Sequence, residues 1–187
     1  DFRKGETRIM IKEFSVHPKP RNKKAKLICL SEFAVAAALF ITYSRVDRYR
    51  GIIGLFAIGF ITAAILLYTK YISPNYYYDI TFDSNEIPIF VVRQITGKRQ
   101  TTLCRIDLAD IVEITYESAK ERRSHKRDNS AKLYVYTPTL FPPDNYRITA
   151  KNRYDSFELV VECTEDFAKL LSEYSEEARV LRDSIEE

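Results

Sequence analysis

LICLSEFAVAAALFITYS (residues 27–44) and GIIGLFAIGFITAAILLYT (residues 51–69) are two apolar stretches joined by RVDRYR (residues 45–50). They hold 18 and 19 residues. As helices rising about 1.5 Å per residue, they would each span about 27–29 Å, close to the ~30 Å hydrocarbon core of a bilayer. Glu32 is the one charge in the first stretch, and the second has none. The pattern predicts a transmembrane helical hairpin over residues 27–70, with spans at 27–44 and 51–69. The competing reading is a buried helical hairpin in a soluble protein.

Composition agrees with a part-embedded chain. Mean hydropathy over the 187 residues is slightly negative, so only part of the chain is apolar enough for lipid. Roughly 115 residues follow the hairpin, enough for one small globular domain. The formal net charge of +3 hides a split. Residues 1–73 carry 13 Lys/Arg against 5 Asp/Glu, and residues 74–187 carry 16 against 21. The positive half is the membrane half, where Lys and Arg set topology and meet lipid headgroups. Nucleic acid is therefore not the expected partner.

Residues 1–26 form a basic tail with nine Lys/Arg. Ile9 to Val16 is partly apolar and reads as a short strand or a surface segment, ended by His17-Pro18-Lys19-Pro20. The first apolar run is too long for a signal-peptide core, and no small-x-small cleavage site follows it. The chain begins at Asp1 and not at Met, so preceding residues are expected. Six Lys/Arg lie in the 15 residues before the first span, against Arg45, Arg48 and Arg50 in the connecting loop. This bias puts the N-terminal tail in the cytosol, and the hairpin returns the chain to the same side.

Within the hairpin, Ala34 and Ala38 share one helical face, as do Gly59 and Ala63. Small residues let helices approach closely in lipid. The pair is expected to pack on itself, with an intermolecular interface, and hence a homo-oligomer, as the alternative. Glu32 lies about 8 Å inside the cytoplasmic end, by the helical rise. An acid at that position is a candidate intramembrane polar site, and snorkelling toward Lys26 is the plainer reading.

After Ser73-Pro74-Asn75 the hydrophobic period changes from helical to two. Tyr68, Tyr71, Tyr76, Tyr77 and Tyr78 match the aromatic belt at a membrane interface. Strands are expected over residues 76–83, 87–94, 101–106, 111–117, 132–137, 145–149 and 156–161, separated by turn residues. In the fourth, Ile111, Glu113 and Thr115 are expected on one face and Val112, Ile114 and Tyr116 on the other. Residues 118–131 read as a long polar loop. An amphipathic helix closes the chain over residues 164–185, with Thr164 as N-cap and Glu165 and Asp166 in its first turn. Its apolar stripe is Phe167, Leu170, Leu171, Tyr174, Ala178, Leu181 and Ile185, expected to cover one face of a β domain over residues 74–187.

Seven short strands followed by one helix resemble the pleckstrin-homology superfold. CRIDLADIVEI (residues 104–114), with Ile106, Leu108, Ile111 and Ile114, is similar to a strand-to-strand pattern of bacterial PH-like domains. Two spans ahead of such a domain also resemble bacterial membrane proteins of the YcxB-like kind. The resemblance covers about residues 76–183 and implies a membrane α-hairpin followed by an α+β domain, a seven-stranded PH-like barrel or sandwich capped by a helix. It implies a bacterial plasma membrane, and it carries no catalytic residues. The first strand-to-strand loop, Asp83-Ser84-Asn85-Glu86, is acidic, so phosphoinositide binding is not implied.

The three cysteines, Cys29, Cys104 and Cys163, show neither CxxC nor Cys/His ligand spacing, which fits a reducing compartment and no metal. With five Gly there is no phosphate-binding glycine loop, and no nucleophile elbow or HExxH occurs. His17 and His125 lie among basic residues and read as solvated. No catalytic set and no cofactor are expected. One basic loop stands out: Lys120, Arg122, Arg123, Lys126 and Arg127, beside His125. It is a candidate contact for anionic lipid or an acidic partner. The expectation is a non-catalytic, membrane-anchored binding or scaffold module that docks a protein at the cytoplasmic face. The alternatives are an anionic-lipid surface sensor, and an accessory subunit of a transporter or channel suggested by Glu32.

Overall fold

In the computed structural model the described residues are 12–18, 22–118, 131–142, 144–152 and 155–186. The chain runs β1 (Phe14–Val16), α1 (Lys23–Tyr43), α2 (Arg50–Leu67), a π-helical turn (Tyr68–Ile72), β2 (Asn75–Phe82), β3 (Pro88–Thr96) and β4 (Arg99–Asp107). A 3-10 turn (Leu108–Asp110) leads into β5 (Ile111–Ser118), β6 (Lys132–Tyr136), β7 (Asp144–Lys151), β8 (Ser156–Val161) and α3 (Glu165–Glu186). The architecture is two long apolar helices, two four-stranded sheets and a C-terminal helix.

Helices α1 and α2 are long and apolar enough to cross a membrane. Only 17% and 11% of their most apolar windows are buried against the rest of the chain, whereas the core helix of a soluble protein would be mostly covered. Ala25, Cys29 and Ala36 of α1 face Ala57 and Ala64 of α2. The expected small-residue faces are therefore wrong: Ala34, Ala38 and Gly59 point outward. The reason is phase. Positions 25, 29 and 36 fall on one helical stripe, and 34 and 38 are rotated well away from it.

The first sheet has the order β1-β2-β3-β4, all antiparallel. Its edge strand β1 pairs Phe14 with Ile80 and Val16 with Tyr78, so the tail contributes a strand that the seven-strand expectation omits. Pro88 opens β3, where its missing N–H is least costly. Gly97, at φ +61°, turns β3 into β4, and a glycine suits that left-handed position.

The second sheet has the order β5-β7-β8-β6, with β6 parallel to β8. A parallel neighbour cannot follow through a two-residue turn. Here the chain leaves β6, adds β7 on the far side and returns as β8. The face assignment for the fourth predicted strand also changes. Ile111 pairs with Ala150 and Glu113 with Thr149, so Val112 is an extra residue in a bulge. That insertion puts Ile111 and Ile114 on the same side, opposite Ala150 and Ile148.

The core lies between the sheets and α3. Tyr78, Ile80, Phe90, Val92, Ile106, Leu108, Ile111, Ile148, Leu159, Val161, Phe167 and Leu171 form it. Thr164 caps α3 as expected, its Oγ1 accepting the Phe167 N–H at 3.3 Å. Phe167 and Leu171 are each 1% exposed, and Leu170 and Tyr174 pack at the margin. Leu181 departs from the expected stripe at 47% exposure. By that turn α3 has passed the sheet, and Arg182 pins it to the corner by bonding Asp110 Oδ1 at 2.8 Å and the Ala109 carbonyl at 3.0 Å.

Candidate functional site

Of the residues singled out by sequence, Glu32 is placed and the basic loop is not. Lys120, Arg122, Arg123, Lys126 and Arg127 lie outside the described residues, as does His125. Glu32 shares the packed stripe of α1 with Cys29 and Ala36. Cys29 Sγ donates to the Ala64 carbonyl at 3.5 Å, one turn toward the tail. Glu32 Oε2 is shielded and has no hydrogen-bond partner among the described residues. α2 offers it none, because residues 51–69 carry no charge and Thr62 already donates to the Ile58 carbonyl at 2.9 Å. A buried carboxylate oxygen without a donor is costly, most of all where no water can reach it.

The neck between hairpin and domain is the second constellation, and the sequence hinted at it only through its tyrosines. α2 ends in a π-helical turn closed by Ser73 N–H on the Tyr68 carbonyl at 2.9 Å. The Tyr71 carbonyl accepts from Asn22 Nδ2 at the start of α1. His17 Nδ1 meets the Tyr76 carbonyl at 2.9 Å, and its ring stacks on Tyr77 with centroids 4.6 Å apart. Asp79 in β2 is bonded by both Ser15 Oγ of β1 and Arg93 Nε of β3. These bonds lock the tail, the hairpin base and the first sheet into one joint. Lys23, Lys24, Lys26 and Lys70 ring that joint and are exposed.

Inside the domain the polar centre is Arg147. Its guanidinium bonds Glu117 Oε1 at 2.7 Å and also Glu158 Oε2, and all three residues are at least nine-tenths buried. Glu117 Oε2 has no hydrogen-bond partner among the described residues. The three residues come from β5, β7 and β8, so their meeting depends on sheet order and no local motif announces it. Tyr78 Oη bridges the two sheets, donating to the Tyr136 carbonyl at 2.6 Å and accepting the Glu162 N–H at 3.3 Å.

Burial pushes the Cys163 thiol up to about 12 and the Cys104 thiol upward as well, away from thiolate chemistry. Among the described residues no group of three His, Cys, Asp or Glu could hold a metal. A cleft of about 370 Å³ lies where the edge strands β4 and β6 meet, lined by Cys104, Arg105, Lys132, Tyr134, Tyr136 and Phe157. Within it Tyr134 stacks on Tyr136, and Tyr136 Oη bridges the two edges by donating to the Leu103 carbonyl at 3.4 Å.

Comparison with protein-family models, with curated proteins and with solved structures found no match for this chain.

Proposed function

We propose that this protein is a membrane-anchored, non-catalytic binding module. Its apolar hairpin spans the bacterial plasma membrane, and its β domain, a variant of the PH-like superfold, docks a protein partner at the cytoplasmic face. The observation that carries the reading is the β1–β2 pairing. The strand before the hairpin and the strand after it are antiparallel neighbours, so the two helices are an insertion between paired strands. Tail and domain therefore stand on one side of the bilayer, and the domain is held at the surface by its own sheet. The six-to-three Lys/Arg bias assigns that side to the cytosol. Ile106, Leu108 and Ile111 are buried with Ile114 half-buried against them, a pattern that supports the superfold, although the parallel β6–β8 pair departs from a simple meander. Affinity capture of the full chain from detergent-solubilised membranes tests the docking. A reproducible partner, lost when the β domain is deleted but the hairpin kept, is expected, and its absence would count against the proposal.

A second reading, an accessory subunit of a transporter or channel, is favoured by Glu32. Its unpartnered oxygen in the hairpin seam would gain a donor from another membrane helix. Glu32→Gln should then weaken co-purification of the larger assembly. An unchanged assembly would remove this reading and leave the docking module standing.

A further inference from the structure

The exposed lysines of the neck are clustered at the base of the hairpin. Among the described residues of the β domain, six of the ten Lys/Arg pair with a carboxylate: Arg93 with Asp79, Arg105 with Asp83, Lys132 with Asp155, Arg147 with Glu117 and Glu158, Lys169 with Glu165, and Arg182 with Asp110. Lys23, Lys24, Lys26 and Lys70 have no carboxylate within ion-pair distance among the described residues, and Lys70 lies 5.3 Å over the Tyr71 ring. The interhelical register brings them together. Asn22 bonds Tyr71 and Cys29 bonds Ala64, so Lys23 stands level with Lys70 at the mouth of the hairpin. Lys24 follows at once, and Lys26 lies one turn deeper. Half-exposed Tyr68 sits beside them at interfacial depth.

We infer that these four lysines form a collar that binds the phosphate-bearing headgroups of anionic lipids. Four facts support the assignment. The ammonium groups have no ion-pair partner among the described residues. They sit where the apolar helices end. The joint of Asn22, Tyr71, His17 and Tyr77 fixes the backbone that presents them, so little ordering is lost on binding. The domain beyond carries more acid than base, 21 against 16 from residue 74 onward, and an anionic surface repels it. The collar includes none of residues 120–127. It rests on the hairpin being embedded.

The test uses the full chain in phosphatidylcholine vesicles, with trace spin-labelled phosphatidylglycerol or spin-labelled phosphatidylcholine. The motionally restricted fraction of each label is read by electron spin resonance. The parent should prefer the anionic label at least about threefold at low salt, and the preference should shrink as salt screens the lysines. Lys23→Gln/Lys24→Gln/Lys26→Gln/Lys70→Gln should bring the ratio close to one. The matching four-fold Lys→Arg variant should keep it, and so should Lys98→Gln/Lys151→Gln in the domain. Unchanged far-ultraviolet circular dichroism shows that the Gln variant is folded. An anionic preference that survives the four Gln substitutions, or is missing in the parent, overturns the collar. Extraction of the parent from vesicles by alkaline carbonate would instead overturn the embedded hairpin, so the two failures are distinguishable.

Discussion

The hairpin and the β domain use the same apolar side chains in opposite ways. In the hairpin, large residues face outward: Leu27, Leu30, Leu55, Ile58 and Leu66 are each more than three-fifths exposed, and Ala25, Ala36, Ala57 and Ala64 fill the seam. In the domain, Tyr78, Phe90, Phe167 and Leu171 are interior, and the surface is charged. The difference follows from the solvent each part meets. Lipid gives two helices no hydrophobic reason to associate, so close approach through small residues sets their contact. Water does give that reason, so the domain buries its largest side chains. Polar groups do not follow the same divide: the domain places Arg147 between two carboxylates, yet Glu117 Oε2 there and Glu32 Oε2 in the hairpin are both buried without a donor among the described residues.

The sharpest break of this comparison is truncation of the largest α3 anchor. Phe167→Ala should cost about 3–5 kcal/mol and Leu171→Ala about 2–5 kcal/mol, a large share of a small domain's stability. Leu170→Ala, at the margin of the same helix, should cost clearly less. Leu55→Ala in the hairpin should leave the domain's melting temperature unchanged. Thermal melts of the full chain in detergent rank the four. Equal losses at Leu171 and Leu55 would erase the contrast between the two regions.

Arg147→Ala should rank next, at about 3–5 kcal/mol, because it strands Glu117 and Glu158 without their counter-charge. Adding Glu117→Gln and Glu158→Gln to Arg147→Ala removes the stranded charges and should recover part of the loss, and chemical denaturation compares the two variants. A triple variant no more stable than Arg147→Ala would mean that lost packing, and not stranded charge, is responsible.

The smallest effect is expected in the seam. Ala64→Leu should cost about 1–3 kcal/mol by overpacking, whereas Ala34→Leu, on the outward face, should be neutral. Oxidative cross-linking of a cysteine pair at Ala36 and Ala57, with Cys29 replaced by Ala, reports the helix contact. The yield should fall with Ala64→Leu and hold with Ala34→Leu. The reverse order would restore the small-residue faces read from sequence.

The parts legible in sequence were those set by local spacing. Uninterrupted apolar length gave the hairpin, alternation located the strands of both sheets, and three-to-four spacing with Thr164 gave α3. The parts missed depend on partners far along the chain. For β1 the sequence offered a short strand as one of two readings of residues 9–16; what it did not show is that the strand pairs across the hairpin, with Phe14 opposite Ile80. The bulge at Val112 and the parallel β6–β8 pair are properties of pairing, invisible in one strand. Glu32 was conspicuous as a lone charge, but its place in the seam required the phase of α1 against α2. The neck lysines were counted for topology, yet their lack of ion-pair partners among the described residues emerges only from the folded arrangement.

The central claim is that the hairpin crosses the membrane with β1 and the β domain on one side. Single cysteines at Asp47 and Asp155, in a background lacking Cys29, Cys104 and Cys163, test it in intact cells with a membrane-impermeant maleimide. The cysteine at Asp47 should label from outside, and the one at Asp155 only after permeabilisation. Labelling of both from outside, or of neither until the membrane is opened, would contradict the claim.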